Sequence, residues 1–208
     1  MTGANVVFYA DYPKTKFHFF NDNAEWNQVD KAGHFWTTYQ LSRYSAEMWE
    51  WTGLPRKKSV LLGGASGMVY QSIIEIQDGY SSEWGFSWGD VAANTAGAGL
   101  YVAQELLSGE QRGQLKLSYY PFSYPSNLKG RRSELFGKSL AERVLKDYNS
   151  QVYWLSANLN SFFPDAHLPK WLNMAVGYGA EGMYGGMTNQ WTDKEGVEHD
   201  LTNIKRVR

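Results

Sequence analysis

"IIEIQDGYSSEWGFSWGDVAANTAGAG", residues 73–99, sets three carboxylates, Glu75, Asp78 and Asp90, among isoleucines, tryptophans, alanines and glycines. Burying a carboxylate in such company is costly unless something pairs with it. The stretch also carries two helix patterns separated by a turn-like "SSEWGFS". Upstream, "RKKSVLLGGASGMVYQSIIEIQDGY" (56–80) predicts one helix, and "WGDVAANTAGAGLYVAQELLSGEQ" (88–111) predicts the next, with Ser87 or Asp90 placed to cap its start. A third helix precedes both. From Glu25 to Thr52, Val29, Ala32, Trp36, Tyr39, Leu41 and Tyr44 recur every three or four positions, and Gly53 and Pro55 end the pattern.

After Gly109 the period changes to two. "QLKLSYYPFSY", "QVYWLSANLNSFF" and "KWLNMAVGYGAEGM" predict strands of an antiparallel meander, with Leu172, Met174, Val176, Tyr178 and Ala180 on one face of the last. Between the first two strands a basic loop runs into a short amphipathic helix near Ser139–Tyr148. The expected fold class is therefore α+β, three packed helices rich in small residues followed by a β-meander. At 208 residues the chain predicts a single domain, helical over about 25–110 and strand-rich over about 113–208. The start carries no basic leader and the end stops in mid-pattern, so the expectation is a fragment of a longer chain.

Composition limits the function classes. With 20 Lys+Arg against 21 Asp+Glu and no basic run among the aromatics, nucleic acid is not an expected partner. Zero cysteines exclude disulfides, thiolate metal sites and a cysteine nucleophile within these residues. The 9 Trp, 14 Tyr and 10 Phe have apolar bodies with polar handles, which suits cores, interfaces and membrane headgroups alike, so a membrane or envelope component is the expected partner. The uncharged runs 59–74 and 91–104 are nevertheless shorter than the roughly 20 apolar residues that span a bilayer.

The candidate site is built from helix spacing. Asp30 and His34 are four apart, Glu75 and Asp78 three apart, and Asp90 and Asn94 four apart, so each pair shares a helix face. Gly64, Gly67, Ala93 and Gly97 lie on or near those faces and let helix backbones approach closely. Carboxylates gathered in a small interhelical space repel unless protons, Lys31 or a divalent metal compensates them. One reading makes Asp30, His34, Glu75, Asp78 and Asp90 an acid/base or metal site, with His34, Glu75, Asp78 and Asp90 as metal ligands. The other makes the groups helix caps and bridges, Lys31 and Asn94 included. Asp30 and Asp90 lie near helix starts and Asp78 near a helix end, where capping explains them; His34 and Glu75 sit inside apolar runs, where it does not.

Other signals are weaker. "GYGAEG" (177–182) fits a dinucleotide glycine pattern but closes a strand instead of opening a helix, and "GASGM" misses the nucleophile-elbow pattern inside a helix. No cofactor-binding motif remains.

The phrases "DKAGHF" (30–35), Glu75, Asp78, "WGD" (88–90) and "AANTAGAG" (92–99) resemble the YfiM-like periplasmic lipoprotein family, a domain of unknown function in Gram-negative envelopes. The order Asp-Lys…His, Glu, Asp-x-x-x-Asn-x-x-Gly more distantly resembles VanZ-like membrane proteins. The likeness covers about residues 17–108, and its polar positions are Asp30, Lys31, His34, Glu75, Asp78, Asp90 and Asn94. It implies a cell-envelope location, periplasmic or outer-membrane, and no defined reaction. Two functional expectations follow: a structural or membrane-associated envelope protein, or an enzyme acting on an envelope lipid or glycan.

Overall fold

The computed structural model describes residues 13–193 and 195–207. Three long helices come first, α1 (Val29–Trp51), α2 (Arg56–Gly79) and α3 (Trp88–Leu107). Strands β1 (Gly113–Tyr119), β2 (Gln151–Asn158) and β3 (Asn173–Gly179) form one sheet in the order β1-β2-β3, and β4 (Gln190–Thr192) pairs antiparallel with β5 (Glu198–Asp200). Short helices α4 (Lys129–Phe136), α5 (Leu140–Lys146) and α6 (Leu159–Phe162) fill the connections. The bonds Asn158 N to Arg112 O and Tyr120 N to Ser150 O give β1 and β2 an antiparallel register. The fold is α+β, as the change of period predicts.

Contacts divide the chain into two compact units. Of the described residues, the first contains 13–22, 31–116 and 154–176; the second contains 23–30, 117–153, 177–193 and 195–207. The division does not follow the helix-to-strand change.

In the first unit the three helices pack through glycines. A Cβ on Gly63 would lie 2.5 Å from the Ser42 carbonyl oxygen, and one on Gly97 would land on the Phe35 carbonyl, so α1 meets both partners nearly backbone to backbone. Tyr39, Ala46, Val60, Tyr101 and Leu115 make the apolar core there. Ser87 caps α3 by accepting from Asp90 N at 3.1 Å, one of the two caps the sequence offered.

In the second unit Tyr124, Leu128, Phe136 and Tyr184 form one apolar cluster and Val29, Ala180 and Met183 another. Arg131 lies 4.6 Å over the Trp191 ring, and His199 stacks on the same tryptophan with ring centroids 4.8 Å apart.

Four local expectations change. Trp26, Asn27 and Gln28 take positive φ, so α1 begins at Val29 and not at Glu25. The basic stretch read as a loop is helix α4, ordered because Phe136 enters the core and Arg131 Nε donates to Tyr184 O. β2 stops at Asn158, whose side chain accepts from Ser161 N and caps a helical turn where strand was expected. In β3 the alternation marks a strand, yet Met174 and Val176 on one face and Asn173, Ala175 and Gly177 on the other are all exposed.

Candidate functional site

The three helices of the first unit bring most of the sequence candidates together. His34 on α1 places Nδ1 3.2 Å from Asn94 Oδ1 and 3.5 Å from Glu75 Oε1, and Nε2 3.7 Å from Asp90 Oδ1. Lys31, one turn earlier on α1, donates from Nζ to Asp90 Oδ1 at 2.7 Å and to Asp22 Oδ2 at 2.8 Å. Glu75 is fully buried, and its Oε2 lies 3.4 Å from Ser87 N. Asn94 is buried too, and its Oδ1 is approached by Thr38 Oγ1 at 2.8 Å and Gln71 Nε2 at 3.1 Å besides the imidazole. All of these residues belong to the first unit.

The electrostatics follow from that geometry. Two basic side chains, Lys31 and His34, stand among the carboxylates of Asp22, Asp30, Glu75 and Asp90, where little water competes. Asp90 and Ser87 also sit at the start of α3, where the exposed N–H groups favour negative charge. Glu75 and Asp90 approach opposite ring nitrogens of His34, Glu75 on the Nδ1 side and Asp90 on the Nε2 side. The imidazole therefore bridges Glu75 and Asp90, and Asp30, His34 and Asp90 each offer one ligand atom within 4.8 Å of the other two, a spacing compatible with a cation.

Asp30 on α1 offers a carboxylate oxygen that lies, with a ring nitrogen of His34 and a carboxylate oxygen of Asp90, in a set whose atoms are all within 4.8 Å of one another, and its Oδ1 also accepts from Tyr148 Oη at 2.6 Å. Asp78 is half-buried at the end of α2, and its backbone carbonyl accepts from Ser81 N at 2.9 Å. Sequence reasoning missed Asp22, Thr38, Gln71 and Ser87 as members of the network. Thr38 carried a usable signal, since it follows His34 by one turn, and Gln71 precedes Glu75 by one turn.

A second polar centre, also missed, lies in the second unit. Asp147 accepts from Tyr124 Oη at 2.6 Å and Ser150 Oγ at 2.8 Å, and Asn149 ties this set to Met183 through both of its backbone groups. Burial pushes the Asp147 carboxyl above its ordinary range, and burial together with the Asp147 hydrogen bond pushes the Tyr124 phenol well up. A shallow pocket of about 310 Å³ beside it is lined by Asn149, Gln151, Val152, Gly179, Ala180 and Glu181 and contains none of the sequence candidates.

Fold and site together define an α+β protein with a charge-dense centre between glycine-packed helices. Residues 18–105, which contain that whole centre, match the family model described as "Predicted periplasmic lipoprotein (DUF2279)". Neither a curated protein nor a solved structure matches the chain. The family description fits the cell envelope as the protein's location.

Proposed function

We propose that this is a non-catalytic cell-envelope protein in which Lys31, His34, Glu75, Asp90 and Asn94, joined by Asp22, lock three close-packed helices in one arrangement. The observation that carries this reading is Lys31, whose ammonium already pairs with both Asp22 and Asp90 and so supplies a cation from the chain itself among these carboxylates. The competing reading, a metal-dependent site, has in its favour Asp30, His34 and Asp90, whose ligand atoms lie within 4.8 Å of one another. The likeness to YfiM-like sequences, and the more distant one to VanZ-like membrane proteins, supports a Gram-negative protein at the periplasmic side of a membrane, the outer membrane by preference. The single-domain reading of the 208 residues belongs to the same proposal.

Thermal melts of three variants test it. His34→Ala and Glu75→Gln each shift stability by roughly 2–4 kcal/mol, because either leaves a buried group uncompensated. Glu47→Gln, which removes an exposed pair with Arg43, stays within about 0.5 kcal/mol. Three equal, small shifts would overturn the reading.

A further inference from the structure

The lock has a consequence for the outside of the bundle. Helix α2 turns Ser59, Gln71, Glu75 and its glycines inward and leaves Leu61, Val69, Ile73 and Ile76 exposed, Val69 at 61% and Ile73 at 50%. Helix α3 buries Asp90 and Asn94 together with Ala98 and Tyr101, while the uncharged Ala92, Ala96, Gly99 and Leu106 face outward. A helix on a water-soluble bundle shows the opposite arrangement, apolar in and charged out. The outer side of α1 is mixed, with Arg43, Glu47 and Glu50 beside the exposed Tyr44 and Met48, so the long uncharged outward face belongs to α2 and α3.

The inverted face has a defined extent and defined ends. No charge occurs from Ser59 to Ile74 or from Val91 to Gln104. At 1.5 Å per residue the uncharged part of α2 runs about 24 Å. At one end stand Lys57 and Lys58, both exposed, with Trp51 shortly before them at 86% exposure. At the other end are Tyr80, Trp88 and Phe19, the last two stacked with their centroids 6.3 Å apart. Among the described residues no helix is long and apolar enough to cross a membrane. An uncharged band bounded by amphipathic rings at both ends and by ammonium groups at one is the chemistry that lies along a lipid leaflet: acyl chains under the aliphatic side chains, rings at the headgroups, lysines against lipid phosphates.

We propose that the outward face of α2 and α3 docks on the acyl layer of an anionic phospholipid bilayer, with Lys57 and Lys58 at the headgroups. The proposal rests on the packing role given to the polar lock above, because groups that hold the helices from inside leave the aliphatic side chains outside. It names the membrane as the occupant, on the charge match at the lysine end; a second copy of the chain or a protein partner are the competing outcomes.

The test is flotation of the full 208-residue chain with phosphatidylglycerol vesicles and with neutral phosphatidylcholine vesicles. Wild type floats with the anionic vesicles. Val69→Glu combined with Ile73→Glu lowers the partition at least about tenfold, since charge is expensive in the acyl region. Lys57→Glu combined with Lys58→Glu lowers it about tenfold or more on anionic vesicles and little on neutral ones. Both pairs sit at exposed positions, so melts should match wild type. Leu61→Ser, a milder change on the same face, replaces the glutamate pair if that pair melts early. Absence of flotation by wild type, flotation of the face variants equal to wild type, or a wild-type dimer in light scattering that the face variants dissolve would each overturn the proposal. Failure of the packing role would register differently, as an unmoved melt in Lys31→Met with flotation intact.

Discussion

Replacing Lys31 by methionine keeps the length of the side chain and removes the one ammonium that joins α1 to both Asp22 and Asp90, at 2.8 and 2.7 Å. The three side chains are 15%, 13% and 6% exposed, which places the pairs well inside the buried regime but not in a dry one. Removing one partner of a fully buried pair costs about 3–5 kcal/mol, chiefly because the partner left behind stays charged and desolvated. With this residual wetting the expected loss is about 3 kcal/mol, near the low end of that range. For a chain of this size each kcal/mol moves the midpoint by about 2–4 °C, so Lys31→Met should melt about 6–12 °C below wild type. The sharper assay is a double-mutant cycle with Asp90→Asn, read by urea unfolding. In that background Lys31 has lost its pair with the Asp90 carboxylate, and Lys31→Met should cost about 1.5 kcal/mol less than it does in wild type, a coupling of the size expected for directly paired groups. A single-variant loss below about 1 kcal/mol, or additive effects in the cycle, would mean the pairs are solvated and that the lock does not exist.

Two further outcomes follow from the same structure. Gly97→Ala should destabilise by more than the slight gain an alanine normally brings to a helix interior, because its Cβ would meet the Phe35 carbonyl; a stabilised variant in urea unfolding would remove the close α1–α3 approach. In the β4–β5 hairpin the hydrogen bond from His199 and then that from Val197 N hold the Asp193 carboxyl below its ordinary range. The folded value lies below the unfolded one, so this group's contribution is present above about pH 4 and is lost as pH falls through the folded value. Amide resonances of Glu195 and Val197 should track that loss in an NMR titration, and Asp193→Asn should abolish the dependence; an unchanged profile in the variant would refute the assignment.

The helices and the heart of the cluster were legible because both depend on local spacing. Pairs at i, i+3 and i, i+4 put His34, Glu75, Asp90 and Asn94 on inward faces, and the glycines nearby marked where backbones could meet. Asp22 was not legible: it lies before α1 in a segment without periodicity, and only the fold carries it to Lys31 and Ser87. Asp30 was legible in part: its spacing to His34 anticipates the group it forms with His34 and Asp90, but its hydroxyl partner Tyr148, 118 residues away, could not be read from local spacing. Helix α4 was hidden by "KGRRSE", whose charges and glycine suggest a loop when the stabilising contacts of Phe136 and Arg131 are not in view. The inversion of α2 was present in the sequence as an uncharged run with interior acids, though which face turned outward required the packing of all three helices.

The central claim is that His34, Lys31 and their carboxylates form a self-sufficient packing lock, and the most direct measurement is the melting temperature of metal-stripped protein with and without added divalent cation. The account predicts that the melt in excess chelator coincides with the melt in saturating zinc or magnesium, while His34→Ala and Lys31→Met lower both alike. A midpoint that rises with the metal in wild type but not in His34→Ala or Glu75→Gln, accompanied by one equivalent of bound metal, would contradict it and make the cluster a metal centre.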